Sequence, residues 1–317
     1  MSIVIDRRTA LGGLVAAASL PLMSAAPSAP RASGFIAMGD WGRGGSDHQR
    51  DVAVQMGRAM QGLDGGFVLA VGDNFYESGV ASADDPQWRT SFEDVYTHPA
   101  LQRPWFVALG NHDYKSNPQA EVDYTARSTR WRMPRRYYRV APEEHGMAGI
   151  DLFVIDTSPL VHKYREKVEA RIAANVAGQD PAAQLGWLDK ALTASTAPIK
   201  LVAGHHTLRS GGSSHGDTPE LVEQLLPILQ RRGVLAYING HDHDMQHIRR
   251  DGLDYICCGS GSQVRPVSAV EGTRFCLSRS GFAQFTRTRD GLGLTFRDYT
   301  GAEVYRAMLG NRASVPA

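Results

Sequence analysis

Five short motifs carry residue types that can do chemistry: Gly39-Asp40-Trp41-Gly42, Gly72-Asp73-Asn74-Phe75-Tyr76, Gly110-Asn111-His112-Asp113, Val202-Ala203-Gly204-His205 and Gly240-His241-Asp242-His243. Taken singly, each has an ordinary structural explanation. A Gly-Asp after a strand usually marks a turn in which the carboxylate bonds its own backbone, Asn111 could equally be a turn residue, and a lone histidine after an apolar run is more often a satisfied core group. The His-x-His of 241 and 243 is suggestive by itself, because residues two apart on an extended segment point the same way. Together the motifs supply Asp40, Asp73, Tyr76, Asn111, His205, His241 and His243, a mixture of carboxylate, phenol, amide and imidazole that suits two metal ions held close together. Such a pair, about 3.5 to 4 Å apart and sharing a bridging carboxylate and water, stabilises both the attacking and the leaving oxygen of an in-line displacement at phosphorus. Phosphoryl transfer is the chemistry this set implies.

In order, spacing and identity the motifs resemble the metallophosphatase (calcineurin-like phosphoesterase) superfamily, and within it the tartrate-resistant, low-molecular-weight purple acid phosphatases. The resemblance runs from about Phe35 to Tyr299 and takes in Phe92-Glu93-Asp94-Val95, Arg130-Trp131 with Tyr138-Arg139, and His215-Gly216. It implies that Asp40, Tyr76 and His243 bind a ferric ion, Fe(3+), and that Asn111, His205 and His241 bind a divalent ion, which in the family is Fe2+, Zn2+ or Mn2+. Asp73 would bridge the two. The implied activity is that of an acid phosphatase, hydrolysing small phosphate monoesters with a hydroxide that the dinuclear centre activates.

The residues also separate this chain from other metallophosphatases. In the protein Ser/Thr phosphatases the first motif has a histidine two residues after its aspartate, whereas here that position is Gly42. Tyr76 can fill the gap, and a hard anionic phenolate favours a hard trivalent ion over zinc. A ferric ion should lower the pKa of bound water further than zinc, which already brings it to about 7. His112 and His215 are not needed as ligands, yet both can face the phosphate. An ordinary imidazole, with pKa about 6.5, is largely protonated in acid, where it can pair with phosphate and protonate the leaving alkoxide. The resemblance gives both histidines this catalytic role; for His215, in a Gly/Ser-rich loop, a purely structural part stays open. A phosphodiesterase or nucleotide pyrophosphatase could use the same metals, since the motifs fix the metal site and not the pocket walls. A non-catalytic iron- or phosphate-binding protein is the rival of another class.

These groups must be placed by the elements around them. Short apolar runs, Phe35 to Met38, Phe67 to Val71, Trp105 to Leu109, Leu152 to Ile155, Lys200 to Ala203 and Val234 to Ile238, predict strands, and helical patterns lie near 47–61, 86–97, 181–194 and 217–232. Past residue 240 come closely spaced strand candidates at 245–249, 254–258, 281–287 and 292–298, so an antiparallel second half is expected. The motifs then fall at the carboxyl ends of strands, where open α/β sheets place their ligands. The expected fold is α/β, a metallophosphatase four-layer α/β sandwich of two mixed sheets packed face to face and flanked by helices. No repeat or linker divides it, so 34–317 reads as one catalytic domain.

The first residues read differently. Asp6-Arg7-Arg8, a weakly apolar run to about Ala18 and small residues at Ser24-Ala25-Ala26 predict a signal peptide over 1–26, followed by a short linker at 27–33. The paired arginines point to the twin-arginine route, hence a periplasmic or extracellular protein with no membrane anchor. The net charge is +1 and falls to zero without that segment, so no global field attracts nucleic acid. Arg127, Arg130, Arg132, Arg135, Arg136 and Arg139 interleave with Trp131, Tyr137 and Tyr138, but a solvated face over packed aromatics is expected rather than a nucleic-acid surface. The cysteines Cys257, Cys258 and Cys276 form no framework, although a Cys258–Cys276 pair is conceivable. Residues 158–181 look helical and correspond to a loop that covers the metal site in animal relatives. A monomer or weak oligomer is expected.

Overall fold

The apolar runs become strands that are wet on neither face. In the computed structural model, which describes residues 1–2, 32–166 and 170–310, the strands are β1 Gly34–Met38, β2 Val68–Val71, β3 Trp105–Ala108, β4 Trp131–Arg132, β5 Tyr138–Val140, β6 Ile150–Val154, β7 Ile199–Ala203, β8 Ala236–Asn239, β9 Met245–Arg250, β10 Leu253–Cys258, β11 Thr273–Leu277, β12 Gly281–Thr288, β13 Gly291–Asp298 and β14 Glu303–Met308. β1, β2, β3, β6 and β8 are buried at every position. Continuous apolar runs of this kind belong to parallel strands covered on both sides. The expected signal peptide lies almost wholly outside the described residues.

The strands form two seven-stranded sheets, ordered β14-β13-β12-β1-β2-β3-β4 and β11-β9-β10-β8-β7-β6-β5. Both are mixed. β1 through β4 are parallel and β12 closes antiparallel on β1, while β6, β7, β8 and β10 are parallel with β5 and β9 antiparallel at the flanks. This is the expected sandwich, with helices outside. Trp41, immediately after β1, is fully buried in an aromatic cluster with Phe75, Phe92, Tyr96, Trp105 and Trp131 at ring separations of 5.4 to 6.5 Å. That packing ties the motif-bearing turns to the core.

Three helical expectations change in detail. The 86–97 pattern shrinks to one wide turn, Trp88–Glu93, because Trp88 and Phe92 are drawn into that aromatic cluster, Trp88 stacking on Tyr124 at 3.5 Å. The 217–232 pattern divides into Pro219–Gln224 and Leu226–Arg231, since Pro227 has no N–H to continue the first helix. The 158–181 stretch is not one helix: it makes single turns at Ser158–Leu160 and His162–Tyr164, and a helix at Ala170–Val176. By contrast Pro181–Ala194 is as expected, started by Pro181 and by Asp180, whose side chain accepts from the Ala183 amide at 3.0 Å. The short or polar strands β4, β5, β11 and β14 had no distinct pattern.

The basic run is, as expected, a largely solvated face over packed aromatics, with Arg130 the buried exception. Trp131 and Tyr138 are buried in β4 and β5; Arg130 is buried over the Phe92 ring and pairs with Glu93 at 2.8 Å, and Arg139 pairs with Asp151 at 2.8 Å. The three cysteines are free thiols. β9 lies between the strands of Cys258 and Cys276, a spacing of about 9–10 Å, beyond the reach of a disulfide.

Candidate active site

Each motif sits just past a strand's carboxyl end. Asp40 follows β1, Asp73 follows β2 and Asn111 follows β3, all in one sheet, while His205 follows β7 and His241 and His243 follow β8 in the other. Backbone bonds join the sheets here: the Gly39 amide donates to the Cys258 carbonyl at 2.8 Å, and the Gly261 amide to the Gly39 carbonyl at 3.0 Å. The site is therefore a seam between two sheets.

The backbone at this seam is turned sharply. Asp40, Asp73 and His241 have φ of 59°, 49° and 71°, left-handed conformations that cost of order 1–3 kcal/mol each and persist where surrounding structure enforces them. Glycines admit the carboxylates. A Cβ on Gly110 would stand 2.2 Å from the Asp73 amide nitrogen, and one on Gly240 would stand 2.3 Å from an Asp40 carboxylate oxygen. The small residues of the motifs thus leave room for the side chains of other motifs.

The donor atoms converge in two groups around Asp73. On one side the Tyr76 hydroxyl lies 3.0 Å from Asp40 Oδ1, 2.9 Å from Asp73 Oδ2 and 3.1 Å from His243 Nε2, with His243 Nε2 3.2 Å from Asp40 Oδ1. On the other side His205 Nε2 lies 3.4 Å from Asp73 Oδ1, 3.2 Å from Asn111 Oδ1 and 3.1 Å from His241 Nδ1. All are buried except Tyr76, which is half-buried. The Asp73 carboxylate accordingly presents one oxygen to each group.

The chemistry of these donors fits two cations. Asp40, Asp73 and His243 offer ligand atoms within 4.8 Å of one another. His205 Nδ1 is 3.0 Å from the Val71 carbonyl, so it carries a proton and leaves Nε2 as the atom on which a metal would replace one. Burial would push the His205 imidazole down, yet Asp73 and Asp40 hold it up at about 9. Burial, reinforced by the same two carboxylates, pushes the Tyr76 phenol well above its ordinary range. Buried negative charge in this concentration calls for positive charge, and a multivalent cation among these atoms supplies it and favours the phenolate.

His112 and His215 stand over the two groups. The His112 amide donates to Asp73 Oδ1 at 2.8 Å, and its ring packs on Tyr76 with Nδ1 2.7 Å from the Glu77 carbonyl, which leaves Nε2 facing the site. The His215 ring stacks on His241 at 3.8 Å. Its loop is held from below by Asp242, which lies between two of the donor histidines but turns the other way: the Asp242 carboxylate accepts from Ser210 Oγ at 2.5 Å and from the Gly216 amide at 3.2 Å. Burial foremost, then Arg265 and Lys163, pushes His215 down to about 4. The expected protonated His215 is thus disfavoured in mild acid, and the fixed cation beside it is Arg265, with Nη1 3.0 Å from His215 Nε2.

A cavity of about 180 Å³ opens onto these groups, lined by Asp73, Asn111, His112, His215, His241 and His243 together with Lys115, Lys163, Tyr164 and Arg265. The last four carried no signal in the sequence, because none belongs to a recurring motif and they come from three separate turns, Lys163 and Tyr164 sharing one. His206 is buried beside His241 but bonds Thr157 and Tyr164, away from the donor groups, as alternation along a strand predicts.

A family model described as calcineurin-like phosphoesterase matches residues 34–245. Purple acid phosphatase 7 of Arabidopsis thaliana is 38% identical over 88% of this chain and 87% of its own length. Tartrate-resistant acid phosphatase type 5 of Homo sapiens is 32% identical over 93% of this chain and 96% of its own. Among solved structures, GAP50, the anchor in the inner membrane complex of Plasmodium, is 25% identical with a TM-score of 0.73 over 87% of this chain and 88% of that one. The purple acid phosphatase PPD1 of yellow lupin shares the fold, with a TM-score of 0.64 over 90% of this chain and 54% of that one. By its motifs, its two sheets and these relatives, the chain belongs to the calcineurin-like phosphoesterases and, within them, to the purple acid phosphatases.

Proposed function

We infer that this chain, a phosphoric monoester hydrolase of the dinuclear-metal type, works with a ferric ion held by Asp40, Tyr76 and His243 and a divalent ion held by Asn111, His205 and His241. Asp73 bridges them. The observation that carries this reading is the placement of Asp73, whose Oδ2 meets Tyr76 and whose Oδ1 meets His205. Two ions so held would supply Lewis acidity at phosphorus and an activated water as nucleophile.

The remaining steps belong to the chain's own residues. His112 Nε2 faces the cavity while Nδ1 is held by the Glu77 carbonyl, so a proton on Nε2 is aimed at the leaving oxygen. His215 and Arg265, 3.0 Å apart, hold the phosphoryl oxygens on the far side. The buried donors exclude bulk water and strengthen these contacts.

Hydrolysis is the deciding assay, since a protein of similar fold serves as an anchor. Metal-loaded protein should turn over 4-nitrophenyl phosphate much faster than its bis-ester. Preference for the bis-ester would favour a phosphodiesterase, and no esterase activity at full metal content would sink the enzyme reading. No described helix is long and apolar enough to cross a membrane. The leader motif supports export by the twin-arginine route; Arg7→Lys with Arg8→Lys should trap precursor in the cytoplasm, and normal export of that variant would refute the route.

A further inference from the structure

A guanidinium sits on the ring face of Tyr76, and no step of the hydrolysis uses it. Arg43 Cζ stands 3.8 Å over the ring centroid, yet Arg43 is not among the residues that line the cavity, so it meets the phenol and not the substrate. The two turns that carry the pair are locked together. The Tyr76 amide donates to the Gly42 carbonyl at 2.9 Å, and a Cβ on Gly42 would collide with the Asn74 carbonyl oxygen. The Arg43 amide donates at 3.0 Å to Oε1 of the buried Gln49, and at the far end of the side chain Nη1 donates to Glu77 Oε1 at 2.8 Å. The Arg43 side chain is only 11% exposed, and its Nε is buried with no hydrogen-bond partner among the described residues. An unpaired buried N–H is costly. The contact that offsets it is the one with the ring.

A cation over an aromatic face is attracted by the electron density of the ring. The attraction grows when the phenol becomes a phenolate, because the ring then shares a full negative charge. We propose that Arg43 is a positioning residue that holds its charge on the Tyr76 ring and so limits the electron density the phenolate donates to its metal. The inference rests on the ferric reading of the Asp40, Tyr76 and His243 group. The carboxylates of Asp40 and Asp73, 3.0 and 2.9 Å from the Tyr76 hydroxyl, push the other way and strengthen the donor. Against them, Arg43 is the one fixed positive charge over this ring among the described residues. Its partner Glu77 faces solvent, 76% exposed, so water and salt screen that carboxylate and the guanidinium stays positive toward the ring. Arginine suits the place better than lysine, since its planar, delocalised charge stacks on an aromatic face. A weaker phenolate donor leaves the metal a stronger Lewis acid toward the phosphoryl oxygens and easier to reduce.

The visible band of iron-loaded protein reads this charge without turnover. Light absorption there moves charge from the ring to the metal, away from Arg43, so the cation raises the energy of the transition. At matched iron content Arg43→Gln should shift the band to longer wavelength, and Arg43→Lys, which keeps the charge and loses the plane, should return it part of the way. Glu77→Gln removes the counter-charge while keeping the carbonyl that holds His112, and should shift the band a smaller distance to shorter wavelength. A reductive titration with dithionite tests the same charge from the metal's side. At a fixed potential the ratio of ferrous to ferric iron should fall about tenfold in Arg43→Gln and rise in Glu77→Gln. A side chain that merely ties two turns together would instead lower thermal stability or iron content and leave the band unmoved. An unmoved band with a redox ratio within twofold of the parent in Arg43→Gln would overturn the proposal. If that variant fails to hold iron, Glu77→Gln decides, and an unmoved band there overturns it as well. A band that survives Tyr76→Phe would overturn the ferric reading itself, and the proposal with it.

Discussion

Tyr76 is the residue on which the identity of the metal turns. Its hydroxyl meets Asp40, Asp73 and His243 at 2.9 to 3.1 Å, with the Arg43 guanidinium 3.8 Å over its ring. A phenolate on ferric iron absorbs visible light, so iron-loaded protein should be coloured. Tyr76→Phe keeps the ring and loses the oxygen. It should abolish the visible band even where iron remains and should lower ferric occupancy, checked by spectrum and metal analysis together; an unchanged band would show that Tyr76 is no ligand. His112 tests the other half of the chemistry. With its amide, which alanine keeps, on Asp73 and its ring packed on Tyr76 without a hydrogen bond to a donor atom, His112→Ala should keep both metals and lose about 10² to 10⁴ in kcat, most for poor leaving groups; loss of metal would instead make it a ligand. All the proposed ligands and both histidines were legible as residue types, since few other functions need that mixture. Lys115, Lys163 and Arg265 were not, because a cation at a turn is ordinary in any sequence.

At the scale of elements, the site depends on turns that let one motif enter the space of another. Gly110→Ala would drive a methyl to 2.2 Å from the Asp73 amide. Overpacking of this kind costs about 1–3 kcal/mol, and here it should also displace the bridging carboxylate. A lowered melting temperature with reduced content of both metals is the expected outcome, measured by thermal unfolding and metal analysis. Gly186 is the contrast. It is exposed in the helix Pro181–Ala194, a Cβ there would meet nothing within 4 Å, and Gly186→Ala should stabilise by about 0.5–1 kcal/mol with activity unchanged. The elements themselves divide the same way. Pro181–Ala194 was legible to the residue because Asp180 and Pro181 fix its start, and the buried parallel strands because each is a short apolar run. The Trp88–Glu93 turn was not, because packing of Trp88 and Phe92 overrides its local pattern.

For the whole molecule, the donor groups draw on both sheets, three strand ends from one and two from the other. Metals bound there bind only the folded chain, so chelation should lower the melting temperature by several degrees and excess metal should restore it. No shift on full metal removal would mean that the seam is held by its backbone bonds alone. The sequence by itself determined which residues could hold metal and that they follow strands, because ligand chemistry and hydrophobic period are local properties. It also determined the α/β class, because parallel buried strands leave continuous apolar runs. Only the tertiary structure decided that Asp73 lies between two groups of donors, that Asp242 holds the His215 loop, and that Arg130 alone of the basic run is buried. It alone brought three cations from three turns to one cavity. These are distances between residues far apart in the chain, set by how two twisted sheets meet, and no local pattern encodes them.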